Sequence, residues 1–260
     1  MTYKPFDLTG KTVLVTGGNS GIGLGMCEAL AAAGADLVIW GTNKEKNARA
    51  RAALEKAGRR VLAQQVDVAD EAQVVAAMQA AVAEMGQLDS VIANAGTGGQ
   101  PAPFLETTSA QLRQIIGVNL EGTYITLREA CRHMVERAKA GGTGGSLVIV
   151  GTAGTESGMP RAAPYAASKG GLTSLMRSIV VGYGKYGIRV NLIQPGFIET
   201  AMTEGHHANA EASKWVIANV PQRRWGVPSE FGGIAVYLAS DASSFQNGSV
   251  IAIDGGLLTA

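Results

Sequence analysis

The sequence predicts a doubly wound α/β fold, one parallel sheet with helices on both faces. Three observations carry this. Short β-branched runs alternate with long alanine-rich stretches of helical composition, the order of β-α-β crossover units. The strand runs are apolar throughout, as expected of strands buried on both sides. Glycine contributes 35 of 260 residues, nearly double the usual ~7%, and punctuates the run ends with no period of three. Crossovers of this length are right-handed. No repeat or linker interrupts the pattern, so residues 1–260 read as one domain.

The elements follow in order. Thr12–Thr16 is a buried strand, followed by glycines and a helix from Ile22 to Ala33 that Gly34 closes. Asp36–Trp40 is the second strand. Lys44–Ala57 is helical, with Gly58 as its stop. Arg60–Val66 is the third strand, Asp70–Met85 a helix ending at Gly86, and Ser90–Ala93 the fourth strand. A long helix runs from Ser109 towards Ala140, and the tract Gly141–Gly145 turns the chain into the strand Leu147–Val150. Tyr165–Tyr183 is helical. Ile188–Ile193 and Ser249–Ile253 are the sixth and seventh strands.

In such sheets ligands bind beyond the carboxyl ends of the strands. Six segments fall there: Gly17–Gly23, Gly41–Asn43, Asp67 with Val68, Asn94–Gly96, Thr152 and Pro195–Thr200. The first, Thr16-Gly17-Gly18-Asn19-Ser20-Gly21-Ile22-Gly23, joins strand one to helix one. Its glycines let backbone approach a pyrophosphate, and the helix N-terminus supplies amide donors. No Gly-Lys-Ser/Thr follows, so it is not a P-loop. Met26 occupies the last position of a G-x-G-x-x-G pattern, so it is not that fingerprint either. Asp67 has two readings: an acceptor for an adenine amino group, or a helix cap or turn residue.

Tyr165 and Lys169 lie four apart at a helix start, hence on one face. A free phenol has a pKa near 10 and is no base at neutral pH. An ammonium ~4 Å away at an effective dielectric of ~20 favours the phenolate by about 4 kcal/mol. That would bring Tyr165 into the range useful for proton transfer. The bland alternative is a surface tyrosine beside a solvated lysine.

Thr16-Gly-x-x-x-Gly-x-Gly23, Asn94-Ala95-Gly96, Asn119, Tyr165-x-x-x-Lys169, Pro195-Gly196 and the ending Asp254-Gly255-Gly256 together resemble the short-chain dehydrogenase/reductase family. The resemblance spans essentially the whole chain. It implies a seven-stranded parallel Rossmann sheet, a homotetramer, and hydride transfer between a nicotinamide and a carbonyl carbon. Carried over by position, Tyr165 is the acid/base. Lys169 lowers its pKa and holds the nicotinamide ribose. Asn119 positions a water that relays protons. Gly17, Asn19, Ser20, Gly21, Ile22, Gly23, Gly41, Thr42, Asn43, Asp67, Val68, Asn94, Ala95, Gly96, Pro195, Gly196, Ile198 (through its backbone) and Thr200 would hold the cofactor. The family's usual serine thirteen residues before the tyrosine is here Thr152. Threonine keeps the hydroxyl but adds a methyl and stiffens χ1, implying a working substitute in a slightly narrower pocket.

An acidic residue ending strand two selects NAD by binding the adenosine ribose and repelling a 2′-phosphate. Here Gly41 holds that position; Asp36 comes too early. Thr42, Asn43 and the nearby Lys44 could bind a phosphate with no carboxylate opposing it, although Ser20 replaces the basic residue often found in NADP-preferring members. The expectation is NADP(H) over NAD(H). The family resemblance assigns substrate contacts to residues 197–226, a lid, and points to the branch of 3-oxoacyl thioester reductases and dehydrogenases of sugars and sugar acids. The substrate is a small carbonyl or alcohol compound. Two other readings stand beside this one: a non-catalytic NADPH-binding regulator, and a sugar epimerase on the same fold. The lid carries His206-His207, which is not at metal-ligand spacing, so no metal is expected. Arg224 reads as structural, Arg223 as open to an anion contact, and His133 as a surface or interface residue.

Composition excludes several classes. Net charge is +1, which gives no footprint for nucleic acid or an anionic membrane. Cys27 and Cys131 lie in apolar helical stretches and form no framework, so both read as small core residues in a reducing cytosol. The segment Met1–Asp7 lacks a signal-peptide apolar region, and no uncharged apolar run approaches ~20 residues. A soluble, cytoplasmic protein is expected.

Overall fold

The computed structural model describes residues 4–260; Met1–Tyr3, part of the segment read for a leader, lie outside them. Seven strands form one all-parallel sheet in the order β3-β2-β1-β4-β5-β6-β7. They are β1 (Thr12–Thr16), β2 (Asp36–Gly41), β3 (Val61–Gln65), β4 (Ser90–Ala93), β5 (Gly145–Val150), β6 (Ile188–Pro195) and β7 (Val250–Ile253). The order reverses direction between β1 and β4, the crevice where ligands bind in such sheets.

The strands are continuously apolar because each serves two cores. Leu14, Val38, Trp40, Val91, Leu147, Ile149, Val190 and Leu192 point to one face. Their neighbours Val13, Val15, Leu37, Ile39, Ile92, Val148, Val150 and Ile193 point to the other. This is the period-two alternation of a strand with both faces covered. Burying each such side chain contributes about 1.5–3 kcal/mol. Trp40 is fully buried, and its indole N–H donates to Gln64 Oε1 at 2.7 Å.

The first face is covered by α3 (Glu71–Met85), α5 (Gly122–Lys139) and α7 (Ala163–Tyr183). The second is covered by α1 (Gly21–Ala32), α2 (Lys44–Leu54) and α10 (Gly232–Ala239). Between α3 and α5, α4 spans Ser109–Ile116. The three remaining helices are α6 (Gly154–Ser157), α8 (Glu204–His207) and α9 (Ala210–Asn219).

The stretch read as one helix from Ser109 towards Ala140 is helical from Ser109 to Lys139 but not uniform. A five-residue π turn, Gly117–Glu121, separates α4 from α5. α4 begins at a capping box in which Thr108 and Gln111 exchange bonds of 2.8 and 3.2 Å. α2 ends three residues early in a 3₁₀ turn over Glu55–Ala57, and Gly58 follows at φ +72° as the expected left-handed stop. α6, α8, α9 and α10 were not anticipated. No helix among the described residues is long and apolar enough to cross a membrane.

Candidate active site

The glycines after β1 are required by contacts. Gly17 adopts φ +65° and donates its N–H to the Trp40 carbonyl at 2.8 Å. A Cβ on Gly23 would lie 2.3 Å from the Gly17 carbonyl oxygen and 2.6 Å from Asn94 Nδ2. Asn94, at the end of β4, clamps the same loop. Its Nδ2 donates to the Thr16 carbonyl at 2.9 Å, while Thr16 Oγ1 accepts from the N–H groups of Asn94 and Ala95 at 3.0 and 2.9 Å. α1 therefore begins pressed against the loop. Ser20 precedes it with no side-chain capping bond, which leaves first-turn amides for an anion. These groups fit a dinucleotide pyrophosphate: small backbone, oriented donors and a helix N-terminus.

At the end expected to take the adenosine, Gly41 closes β2, and Thr42 and Asn43 are exposed beside it. The Asn43 carboxamide oxygen caps α2 by accepting from Lys46 N–H at 2.8 Å. Asp36 lies at the far end of the strand, held by Arg59 and the Arg60 N–H. Asp67 is exposed; its Oδ1 accepts from Ala69 N–H at 3.0 Å, a turn contact. The cap of α3 is Asp70. The Val68 side chain faces the core, where a Cβ on Gly122 would meet it at 2.8 Å.

α7 carries the central groups on one stripe: Tyr165, Ser168, Lys169, Leu172 and Met176, at the spacing of a helix face. Lys169 is 5% exposed and donates from Nζ to the Val150 carbonyl at 2.8 Å. Burial lowers its ammonium pKa to about 8. The Tyr165 phenol is buried near the hydroxyl of Thr152, which follows β5. Burial pushes this phenol above its ordinary value, and the Thr152 hydroxyl opposes that rise. The sequence-based expectation of a phenol lowered by its lysine is thus corrected for this structure. The ammonium sits 6.0 Å from the ring centre and is engaged by the Val150 carbonyl. Desolvation of a would-be phenolate is the largest influence on this phenol.

Asn119 lies in the π turn, fully buried, with its carboxamide saturated. Oδ1 accepts from Thr97 N–H at 2.8 Å; Nδ2 donates to the Thr97 carbonyl at 2.9 Å and to Ser168 Oγ at 3.0 Å. A Cβ on Gly96 would be 3.2 Å from Asn119 Oδ1 and 3.4 Å from Lys169 Nζ, so these three positions meet. Ser168 was not anticipated. It donates to the Tyr165 carbonyl at 2.7 Å and ties Asn119 to the tyrosine's helix. Its signal was present: a hydroxyl on the inner stripe of an apolar helix.

From β6 the chain enters residues 197–226, the segment expected to form a lid. Gly196 N–H bonds the Ile253 carbonyl at 3.1 Å, and the Pro195 carbonyl accepts from Ala153 N–H at 2.9 Å. Thr203 Oγ1 donates to the Ile198 carbonyl at 2.5 Å and accepts from Thr200 N–H at 3.0 Å. A Cβ on Gly21 would touch Thr200 Cγ2 at 3.4 Å, so the first residues of this segment reach the Gly17–Gly23 loop. His207 faces Glu199 at 3.4 Å and lies edge-on to Trp225. Arg224 pairs with Glu230 at 2.5 Å, as a structural residue would. Arg223, left open as an anion contact, instead donates to the Ala218 carbonyl near the end of α9. His133 is not a bystander at the surface: its Nε2 accepts from the Leu88 N–H at 3.2 Å.

A family profile described as "Enoyl-(Acyl carrier protein) reductase" matches residues 17–258. The chain belongs to the short-chain dehydrogenase/reductase family. It is accordingly an NAD(P)-using oxidoreductase of alcohol and carbonyl groups. It is similar to the gluconate 5-dehydrogenase of Gluconobacter oxydans, 34% identical over 252 residues, covering 97% of this chain and 96% of that protein. The cis-4-hydroxycyclohexanecarboxylate dehydrogenase of Sinomonas cyclohexanicum is 38% identical over 246 residues, covering 95% and 96%. Among solved structures, a gluconate 5-dehydrogenase from Burkholderia cenocepacia in complex with NADP and tartrate superposes with a TM-score of 0.92. It is 34% identical, over 99% of this chain and 98% of that one.

Proposed function

We propose that this protein is an NADP(H)-preferring dehydrogenase/reductase interconverting a secondary alcohol and a ketone on a small hydroxylated carboxylic acid, with sugar acids as the leading class. The observation that carries the chemistry is a buried phenol near the Thr152 hydroxyl, with the buried ammonium of Lys169 6.0 Å from its ring, beside the glycine cradle. The gluconate and hydroxycyclohexanecarboxylate enzymes it resembles act, by name, on acids that also bear a hydroxyl. Gly41, with no carboxylate to repel a 2′-phosphate, favours NADP(H).

The roles follow from position. When bound, the nicotinamide supplies or accepts the hydride. Thr152 holds the substrate oxygen and orients it towards the Tyr165 hydroxyl. Tyr165, neutral at physiological pH, donates the proton that a ketone oxygen needs on reduction. In oxidation it must first lose that proton. Lys169 keeps a positive charge beneath the phenol and holds the nicotinamide ribose, and Asn119 fixes the Thr97 segment and the start of α7. The Gly17–Gly23 loop with Thr200 holds the pyrophosphate, Asn94–Gly96, Pro195–Gly196 and the Ile198 backbone line the nicotinamide side, and Thr42, Asn43, Asp67 and Val68 line the adenosine side. Residues 197–226 form the substrate lid. Exposed Phe104, Leu105, Val181 and Phe245 support a homotetramer, and the cytosol is its compartment.

The test is a panel of keto sugar acids, 3-oxoacyl thioesters and polyols with both cofactors, followed at 340 nm. Keto sugar acids with NADPH are expected to turn over fastest, and Tyr165→Phe to abolish turnover. Comparable residual activity in Tyr165→Phe would overturn the assignment.

A further inference from the structure

The buried face of α2 carries Asn47, Ala50 and Leu54. Asn47 is the polar member, and it is 4% exposed. A buried carboxamide is stable only if its groups are paired, and here they are. Nδ2 donates to the Gly41 carbonyl at 2.9 Å and to the Gln64 carbonyl at 3.0 Å. Oδ1 accepts from Asn19 Nδ2 at 2.6 Å. Asn47 thus ties the ends of β2 and β3 to the phosphate loop. The second contact partner of the Asn19 side chain is Ser20 Oγ, which donates to its Oδ1 at 3.3 Å.

The arrangement leaves no room at residue 41. A Cβ there would lie 2.1 Å from Asn19 Nδ2 and 2.6 Å from Asn47 Oδ1. The space from which a side chain at that position would reach an adenosine ribose is filled by the Asn19 carboxamide. We infer that Asn47 is a positioning residue: it pins the Asn19 side chain across Gly41, and this pair sets the dinucleotide preference of the site. The latch puts a neutral amide where an acidic side chain would otherwise close β2. Asn47 acts only through Asn19. The sign of the preference rests on the NADP(H) reading above; the existence of the latch does not.

The latch makes substitutions at 41 and 19 interdependent. Gly41→Asp alone must displace the Asn19 amide into the loop and strand Asn47 Oδ1, so it should weaken binding of every adenine nucleotide. Removing the Asn19 carboxamide first takes away the nearer obstruction and leaves only the Asn47 Oδ1 contact for the new carboxylate to shift. The probes are adenosine 2′,5′-bisphosphate and ADP, titrated calorimetrically into the purified full chain. Gly41→Asp alone is expected to weaken both by roughly tenfold or more, the scale of a lost buried hydrogen bond. Gly41→Asp with Asn19→Gly should restore ADP to within about threefold of wild type and raise discrimination against the bisphosphate about tenfold. Asn47→Leu should lower bisphosphate affinity about fivefold more than ADP affinity, a ratio that general loosening would not move. Cofactor KM should track that change more than kcat does.

If Gly41→Asp binds ADP like wild type and Asn19→Gly adds nothing, the latch does not exist. An unchanged affinity ratio in Asn47→Leu overturns its role in preference. Tighter wild-type binding of ADP than of the bisphosphate would remove the NADP(H) reading, while the contrast between single and double variants would still decide the latch.

Discussion

Replacing Lys169 by methionine separates the stability of the fold from the chemistry of the site. The lysine is almost fully buried, and burial holds its pKa at about 8, against an ordinary value of about 10.4. At ~1.36 kcal/mol per pKa unit, carrying the charge costs the folded protein about 3 kcal/mol at neutral pH. Methionine fits a similar volume without charge but gives up the bond to the Val150 carbonyl, about 1.5–3 kcal/mol for a charged donor. The cofactor-free variant should therefore be as stable as wild type or about 1 kcal/mol more so at pH 7, and inactive. The pH dependence is sharper. Below about 8 both folded and unfolded wild type carry the charge. Between about 8 and the ordinary lysine value the folded chain sheds its proton while the unfolded chain keeps it. Wild type therefore gains about 3 kcal/mol relative to the methionine variant across that window, and the gain levels off above it. Urea unfolding of both proteins by circular dichroism at pH 7, 8.5 and 10 measures the difference. A difference that stays flat from pH 7 to 10 would refute the reasoning.

Thr152→Ala should lower kcat by about 10²–10³-fold, the usual loss of one donor at a reacting oxygen, while Thr152→Ser retains most of the rate in the same 340 nm assay. Because burial raises the Tyr165 phenol, ketone reduction should hold its rate through neutral pH, and alcohol oxidation should climb into the alkaline range; the pH–rate profiles in the two directions check this. Gly23→Ala drives a Cβ against the Gly17 carbonyl, and its expected signature is a loss of about 1–3 kcal/mol in unfolding with NADPH binding abolished by calorimetry. His133→Ala should cost about 1–3 kcal/mol at pH 7.5 by leaving the buried Leu88 N–H unpaired. Burial lowers the His133 pKa, so its contribution is present above the ordinary histidine value and lost as pH falls through the folded one; the gap between wild type and variant should narrow at pH 5.

The strands and the glycine and asparagine loops were legible because their signals are local: apolar runs, glycine stops and fixed spacings. α10 was not, since Gly232–Ala239 is apolar all round and shows no helical period. α8 and α9 lie in the mixed-polarity segment 197–226, where neither period dominates. The phenol's pKa was misread for a different reason. Sequence shows that a lysine is four residues away but not that burial penalises the phenolate, nor that the Val150 carbonyl engages the ammonium. Asn47 carried a readable signal that went unused: a carboxamide on the same face as Ala50 and Leu54, at a position an aliphatic side chain would ordinarily fill. The two readings of Asp67 needed coordinates, because a turn and an adenine contact make the same demand on sequence.

The π turn at Gly117–Glu121 amounts to one surplus residue in an otherwise regular rod. Shortening the chain by Val118 would let the rod run straight from Ser109 to Lys139 with every i→i−4 bond made, and would rotate Asn119 about 100° away from Thr97 and Ser168. Such a deletion would leave a sound scaffold while breaking the bonds by which Asn119 joins the Thr97 segment to α7.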